Sequence, residues 1–196
     1  MTAPGVHCVK RALRQITTYR PAGAAQQTQP SGSAARLPHL IVRSYRHFAG
    51  RPLLSDDENG MSDEQLTRAL YESPVVVAAH DFTGGSAAPV FTYANQKGLD
   101  VFETNWHHFV GCPSFKSADD TRFHERLALL QECLEKGCVR VNAIRQSFTG
   151  RLFQIQDGLL FNLLDTPGGA TATTVGQAVA FATWQYLDSI SEERSL

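Results

Sequence analysis

Acidic residues are missing from the first 55 positions of this 196-residue chain, where the first to appear is Asp56. Before it stand Lys10, Arg11, Arg14, Arg20, Arg36, Arg43, Arg46 and Arg51, a charge of +8. The net charge is −1, so the remainder carries −9. An asymmetry of this kind marks a basic leading segment with a role of its own, or one removed on processing. Cysteine is also scarce. Cys8, Cys112, Cys133 and Cys138 are too few for a disulfide framework in a chain of this length. The step from Cys133 to Cys138 is not a zinc-knuckle spacing, so the four are expected as buried or half-buried thiols of a reducing compartment. No apolar run approaches the roughly 20 residues that a membrane span requires, and no membrane association is expected. Histidines are present but scattered. His107 and His108 are neighbours that point about 100° apart on a helix, while His39, His47, His80 and His124 stand singly. Neither a metal site nor haem is expected. Ser114 and Ser117 fall near His124, but sequence proximity is not a triad. With no phosphate loop or nucleophile–base pair in view, no catalytic residue is assigned and an enzyme is not expected.

What is present divides into three parts: a tail over residues 1–36, a domain over 37–190, and a polar end over 191–196. In the tail, Val9, Leu13 and Ile16 recur at helical spacing with Lys10, Arg11 and Arg14 on the other side, a short basic amphipathic helix. The Pro/Gly/Gln/Ser/Ala stretch that follows is too polar to form a core. Basic, acid-free and then flexible describes either a disordered tail or a transit peptide. The transit-peptide reading places the protein in a chloroplast or mitochondrion; otherwise it is expected in the cytoplasm. The eight basic charges ahead of Asp56 can touch phosphates but do not read a nucleic-acid sequence.

The domain opens with a helix over 37–48, where Leu37, Ile41, Tyr45 and Phe48 share one face. A second helix starts at Ser62, whose hydroxyl and Gln65 form a capping box, and stops before Pro74. Residues 75–79 read as a buried strand and 90–93 as its hairpin partner. Asn95 then caps a short helix carrying Leu99 and Phe102, and 106–110 suit one more helical turn. Ser117 or Asp119 is expected to cap the longest helix, with Phe123, Leu127, Leu130 and Leu134 on its apolar face and Gly137 as its stop. Three strands close the chain: 138–147, then 151–164 with a bulge at Asp157-Gly158, then 175–186. Two strands, a helical block and three strands predict an α+β domain: a five-stranded antiparallel sheet with helices on one face, preceded by an N-terminal helix.

The phrases YANQ-x-x-LD-x-FE-x-x-W (93–106), HLIVRSYRHFAGRPLL (39–54), G-R-x-F (150–153), NLLD (162–165) and GQAVAFATW (176–184) resemble the MEKHLA domain, a PAS-like module. The resemblance also takes in Leu70-x-x-x-Pro74, His80 and PS-x-x-SA (113–118), and covers roughly residues 37–187. This sequence departs from the family at Gly98, where Ala is usual, at Phe115, where Arg is common, and at Phe161, where Trp is common. The resemblance implies a PAS fold and a sensory or regulatory role, as in the C-terminal part of plant class III homeodomain–leucine zipper regulators. No homeodomain or leucine heptad occurs in this chain, so DNA binding does not carry over. Flavin-binding light sensors of the PAS group hold their reactive Cys in an N-C-R-F-L-Q phrase. Around Cys112 this sequence reads G-C-P-S-F-K, which argues against flavin.

For a small ligand, Asn95, Asp100, Trp106, Arg145 and Gln177 are the candidate binding residues, an aromatic wall with a few polar groups. The competing reading makes Asn95 a helix cap, Trp106 core and Arg145 exposed. Asp157 is expected to pair with Arg145 or Arg151 across a hairpin. The leading expectation is a non-catalytic PAS-like sensory domain that binds a small molecule or a protein partner, dimeric through its sheet or N-terminal helix. The alternative is an interaction or dimerisation module without a ligand, burying 37–48 against itself or a partner; a small enzyme is third.

Overall fold

The computed structural model describes residues 36–82, 89–117, 122–169 and 172–187. The basic segment at 9–16, the turn at 83–86, Asp119 and the polar end lie outside them. Helix α1 (Arg36–Ala49) is followed by a 3-10 turn (Asp56–Gly60) and α2 (Asp63–Glu72). Strands β1 (Val76–Asp81) and β2 (Val90–Ala94) form a hairpin. The helical block is α3 (Gln96–Val101), α4 (Trp106–Phe109), a 3-10 turn (Ser114–Ser117) and α5 (Phe123–Lys136). Strands β3 (Cys138–Gln146), β4 (Leu152–Leu164), β5 (Thr174–Phe181) and β6 (Thr183–Tyr186) complete the sheet. The antiparallel order is β2-β1-β5-β4-β3, with β6 also on β4.

The local chemistry sets these boundaries. Ser62 accepts from the Gln65 N–H while the Gln65 side chain accepts from the Ser62 N–H, closing both ends of the capping box. Asn95 and Asn105 cap α3 and α4. Gly137 ends α5 at φ 85°, where a side chain would be strained and would strike the Phe48 ring. Of the two expected caps of α5, Asp119 lies outside the described residues and Ser117 does not cap: Arg122 holds the N-cap position without a side-chain bond, and the Ser117 hydroxyl donates to the Ser114 carbonyl.

The sheet has six strands rather than five, because the expected final strand divides at Ala182. The division answers a bulge in β4. Asp157 adopts φ 51°, and the β3–β4 register slips beside it. An extra residue reverses which face every later side chain meets. Phe153 and Ile155 therefore pack toward α3–α5, whereas Phe161 and Leu163, of the same parity, pack on the opposite face. β5 pairs with β4 beyond the bulge and β6 before it.

Both faces of the sheet are covered. The α3–α5 block lies on one, over Val76, Ala78, Phe91, Val141, Ile155 and Phe181. The N-terminal helix turns back onto the other, where Ile41, Val42 and Tyr45 meet Val77, Ala79, Phe161 and Ala180. The Tyr45 and Phe161 rings meet edge to face at 5.6 Å. The Ser44 hydroxyl accepts from the Leu164 N–H at 3.0 Å, where the β4–β5 register shifts. The buried Glu58 carboxylate ties the end of α1 to the following loop through Arg46 and the Leu53 and Leu54 N–H groups. Of the two surfaces that the alternative reading left open for the apolar face of α1, the domain itself or a partner, it meets its own sheet.

Candidate ligand-binding cavity

Strand periodicity builds the site. On β3, Val139, Val141, Ala143 and Arg145 alternate inward, and Arg145 is the charged end of that buried row. On β1, His80 continues the row of Val76 and Ala78. On α5, the buried stripe is Arg126, Leu130 and Cys133, so a guanidinium heads the row turned to the sheet. These rows line a cavity of about 40 Å³. Its apolar wall includes Ala78, Phe91, Phe102, Leu130, Ile155 and Val179, and its polar wall is His80, Ser117, Arg126 and Arg145.

Both arginines are buried, Arg126 at 8% exposure and Arg145 at 6%. Arg126 Nη2 donates to the Ser114 hydroxyl at 2.7 Å. Arg145 Nη1 donates to the Ile144 carbonyl and stands 3.7 Å from Glu125, a half-exposed carboxylate. Burial lowers the pKa of each from 12.5, that of Arg126 to about 9, with repulsion from Arg145 adding to it. Burial and the Arg126 charge also press His80 down to about 3, so its ring is neutral. A hydrogen-bonded chain orients that ring. Gln177 Nε2 donates to the Leu130 carbonyl (3.0 Å) and to Asn162 Oδ1 (3.1 Å). Gln177 Oε1 is thereby left to accept from His80 Nε2 at 3.2 Å. Cys133 also donates to Asn162, and burial pushes its thiol up to about 12, so it is not a nucleophile at neutral pH.

The five candidates from sequence separate. Arg145 lines the cavity, and Gln177 stands behind its wall, joined to it by His80. Asn95 lies elsewhere and fully buried. Its Oδ1 accepts from the Gly98 and Val77 N–H groups, and its Nδ2 faces the carbonyls of Leu70, Ser73 and Val75. Asp100 is exposed and accepts from Gln96. Trp106 is half-buried, edge-on to Tyr93. Arg126, His80 and Ser117 were not among the ligand candidates: His80 stood only within the family resemblance and Ser117 as a helix cap. Arg126 had a signal of its own, since it lies three residues after Phe123 and four before Leu130, a charge in the middle of an apolar stripe. Asp157 pairs with Arg140 at 2.7 Å rather than with Arg145 or Arg151; Arg151 meets Glu103 at 3.1 Å. Among the described residues, no cluster of three or more His, Cys, Asp or Glu is placed to hold a metal ion, and no helix is long and apolar enough to cross a membrane.

An antiparallel sheet in the order β2-β1-β5-β4-β3, with a helical block between β2 and β3 roofing a small cavity, is the PAS fold. The chain resembles the crystal structure of a PAS domain from Colwellia psychrerythraea, at a TM-score of 0.50 and 10% identity over 63% of this chain and 95% of that one. The MEKHLA domain model matches residues 35–186, and the chain belongs to that family. Its curated relatives include the homeobox-leucine zipper protein HOX29 of Oryza sativa subsp. indica, 28% identical over 85% of this chain. HOX32 of the same subspecies is 38% identical over 50% of the chain. These matches span only 19% and 11% of the two relatives.

Proposed function

We propose that this MEKHLA domain is a non-catalytic sensory module that takes a small ligand into the cavity between the sheet and α5. The observation that carries the reading is the wall itself: two buried guanidiniums and a neutral imidazole facing an interior hollow. Buried charge is costly unless it is matched, and a ligand is one way to match it. The volume, about 40 Å³, suits a very small molecule and not a flavin or haem. The test is native mass spectrometry and a thermal-shift screen of soluble metabolites on the full chain, beside Ala78→Val, which pushes two methyl groups into the hollow. A compound that stabilises the natural protein and not the variant supports the reading. Equal responses, or none, overturn it.

A second reading, a protein-interaction module, is favoured by a groove of about 410 Å³ on the other face, beside Phe48, Arg51, Arg140, Asp157 and Leu159. The names of the homeobox-leucine zipper relatives are compatible with it. For the basic, acid-free residues 1–36 we propose an organellar transit peptide. Intact mass of the protein from its native source is then expected to place the first residue near 30–37, and retention of Met1 or Thr2 overturns that proposal.

A further inference from the structure

We propose that the cavity takes a compact monovalent oxyanion, of carboxylate or nitrate size, held between Arg126 and Arg145. The inference rests on the reading of this cavity as the sensory site and names the chemistry of what enters it.

Charge is the first ground. A guanidinium has five N–H donors and stays charged at neutral pH. Its removal from water is compensated only by close, well-aligned acceptors. Among the described residues, Arg126 has one such acceptor, the neutral Ser114 hydroxyl, and no ion pair. Arg145 has a carbonyl and one carboxylate at the edge of hydrogen-bonding reach. Glu125 attracts Arg145 but is half-exposed, so water screens part of its charge. His80, the remaining titratable group in the wall, is neutral, and Arg122 beyond Arg145 adds repulsion. Among the described residues, the cavity wall therefore carries an excess of positive charge.

Shape and hydration are the second ground. Planar guanidinium forks match the two coplanar oxygens of a carboxylate or nitrate, each fork donating a pair of parallel bonds. A water needs about 10–15 Å³ of such space, so a cavity of about 40 Å³ has room for roughly three water-sized groups. An anion of three or four heavy atoms fits that volume. The rest of the lining is hydrocarbon, from Ala78, Phe91, Ile155 and Val179 among others. Such a wall penalises strongly hydrated dianions and selects against sulfate and phosphate.

The test is calorimetric titration of the full chain at neutral pH and constant ionic strength with sodium nitrate, formate, acetate and bicarbonate, against sulfate and chloride. At least one of the monovalent oxyanions is expected to saturate a single site. Arg126→Met and Arg145→Met are each expected to weaken it by about tenfold or more, and Arg126→Lys, which keeps the charge but loses the fork, by less. Ligand-free Arg126→Met is also expected to melt no lower than the natural protein, since it removes an uncompensated buried charge; an arginine with a purely structural role would melt lower. The proposal is overturned if no probe binds, or if binding survives both methionine variants. If the oxyanions fail while a neutral metabolite stabilises the natural chain and not Ala78→Val, the sensory reading stands and the anion inference falls. If neither binds, both fall.

Discussion

Replacing Asn95 by alanine should be among the most damaging single changes in this domain. The side chain is fully buried and makes five hydrogen bonds to three segments. Its Oδ1 takes the Gly98 N–H at 2.9 Å, capping α3, and the Val77 N–H at 3.0 Å, fixing the start of β1. Its Nδ2 donates at 2.7 Å to Val75, at 3.1 Å to Ser73 and at 3.3 Å to Leu70, holding the turn between α2 and β1. Alanine strands two buried donors, at about 1–3 kcal/mol each. A lost cap alone costs about 0.5–2 kcal/mol. Because these terms overlap, the expected loss is about 3–5 kcal/mol. In a domain of this size that lowers Tm by roughly 10–15 °C. Urea unfolding followed by both circular dichroism and fluorescence measures it. Asn105 is the internal comparison: it caps α4 through the His108 N–H at 3.1 Å but is only half-buried, so Asn105→Ala should cost about 1 kcal/mol. Asn95→Asp keeps the acceptor and sets a carboxylate against three carbonyls, and should be no better than alanine. Equal small losses at positions 95 and 105 would refute the clamp.

Three further outcomes follow from the same structure. The folded pKa of His80, about 3, lies below the unfolded value of about 6.5. The unfolded chain therefore takes up a proton that the native one refuses, so this contribution to stability is complete above about pH 6.5 and is lost as pH falls toward 3. The slope approaches 1.4 kcal/mol per pH unit, and His80→Gln should flatten it between about pH 6.5 and 5; an unchanged slope would place the titration elsewhere. Gly176 pairs with Asp81, and a Cβ there would collide with the His80 carbonyl oxygen. Gly176→Ala should cost about 1–3 kcal/mol or more in a denaturant titration. Tyr93 is buried with a hydroxyl that has no hydrogen-bond partner among the described residues. Tyr93→Phe should leave stability unchanged or raise it by up to about 1 kcal/mol, and a clear loss would reveal a partner for that hydroxyl.

Much of the fold was legible because its punctuation is chemical and local. Ser62 with Gln65, Asn95 and Gly137 are read from side-chain hydrogen bonding and from the freedom of glycine, and none depends on distant contacts. The sheet faces were less legible. Phe153, Ile155, Phe161 and Leu163 look like one face by spacing, and only the turn of the backbone at Asp157 sends the last two to the other core. The split at Ala182 has the same origin, since β5 and β6 must follow β4 on either side of that bulge. The place of α1 is a long-range fact: its periodicity shows an apolar face but not which surface receives it. The cavity is long-range too. Arg145 and Gln177 were singled out as polar residues of late strands, but their partners come from α5 and β1, far off in sequence. Asn95 and Trp106 have the composition of a ligand site, and their contacts are a backbone clamp and an aromatic neighbour. Arg126 was hidden because a charge on an apolar stripe is usually counted as an interruption of it.

The most direct test of the central claim is a proton–nitrogen correlation spectrum of the full chain before and after addition of the protein-free small-molecule fraction of its native cells. A ligand in the cavity is expected to shift the residues that line it: His80, Arg126, Leu130, Arg145 and Val179. Shifts confined to the groove beside Phe48 and Arg140, or a spectrum that does not change, would contradict it.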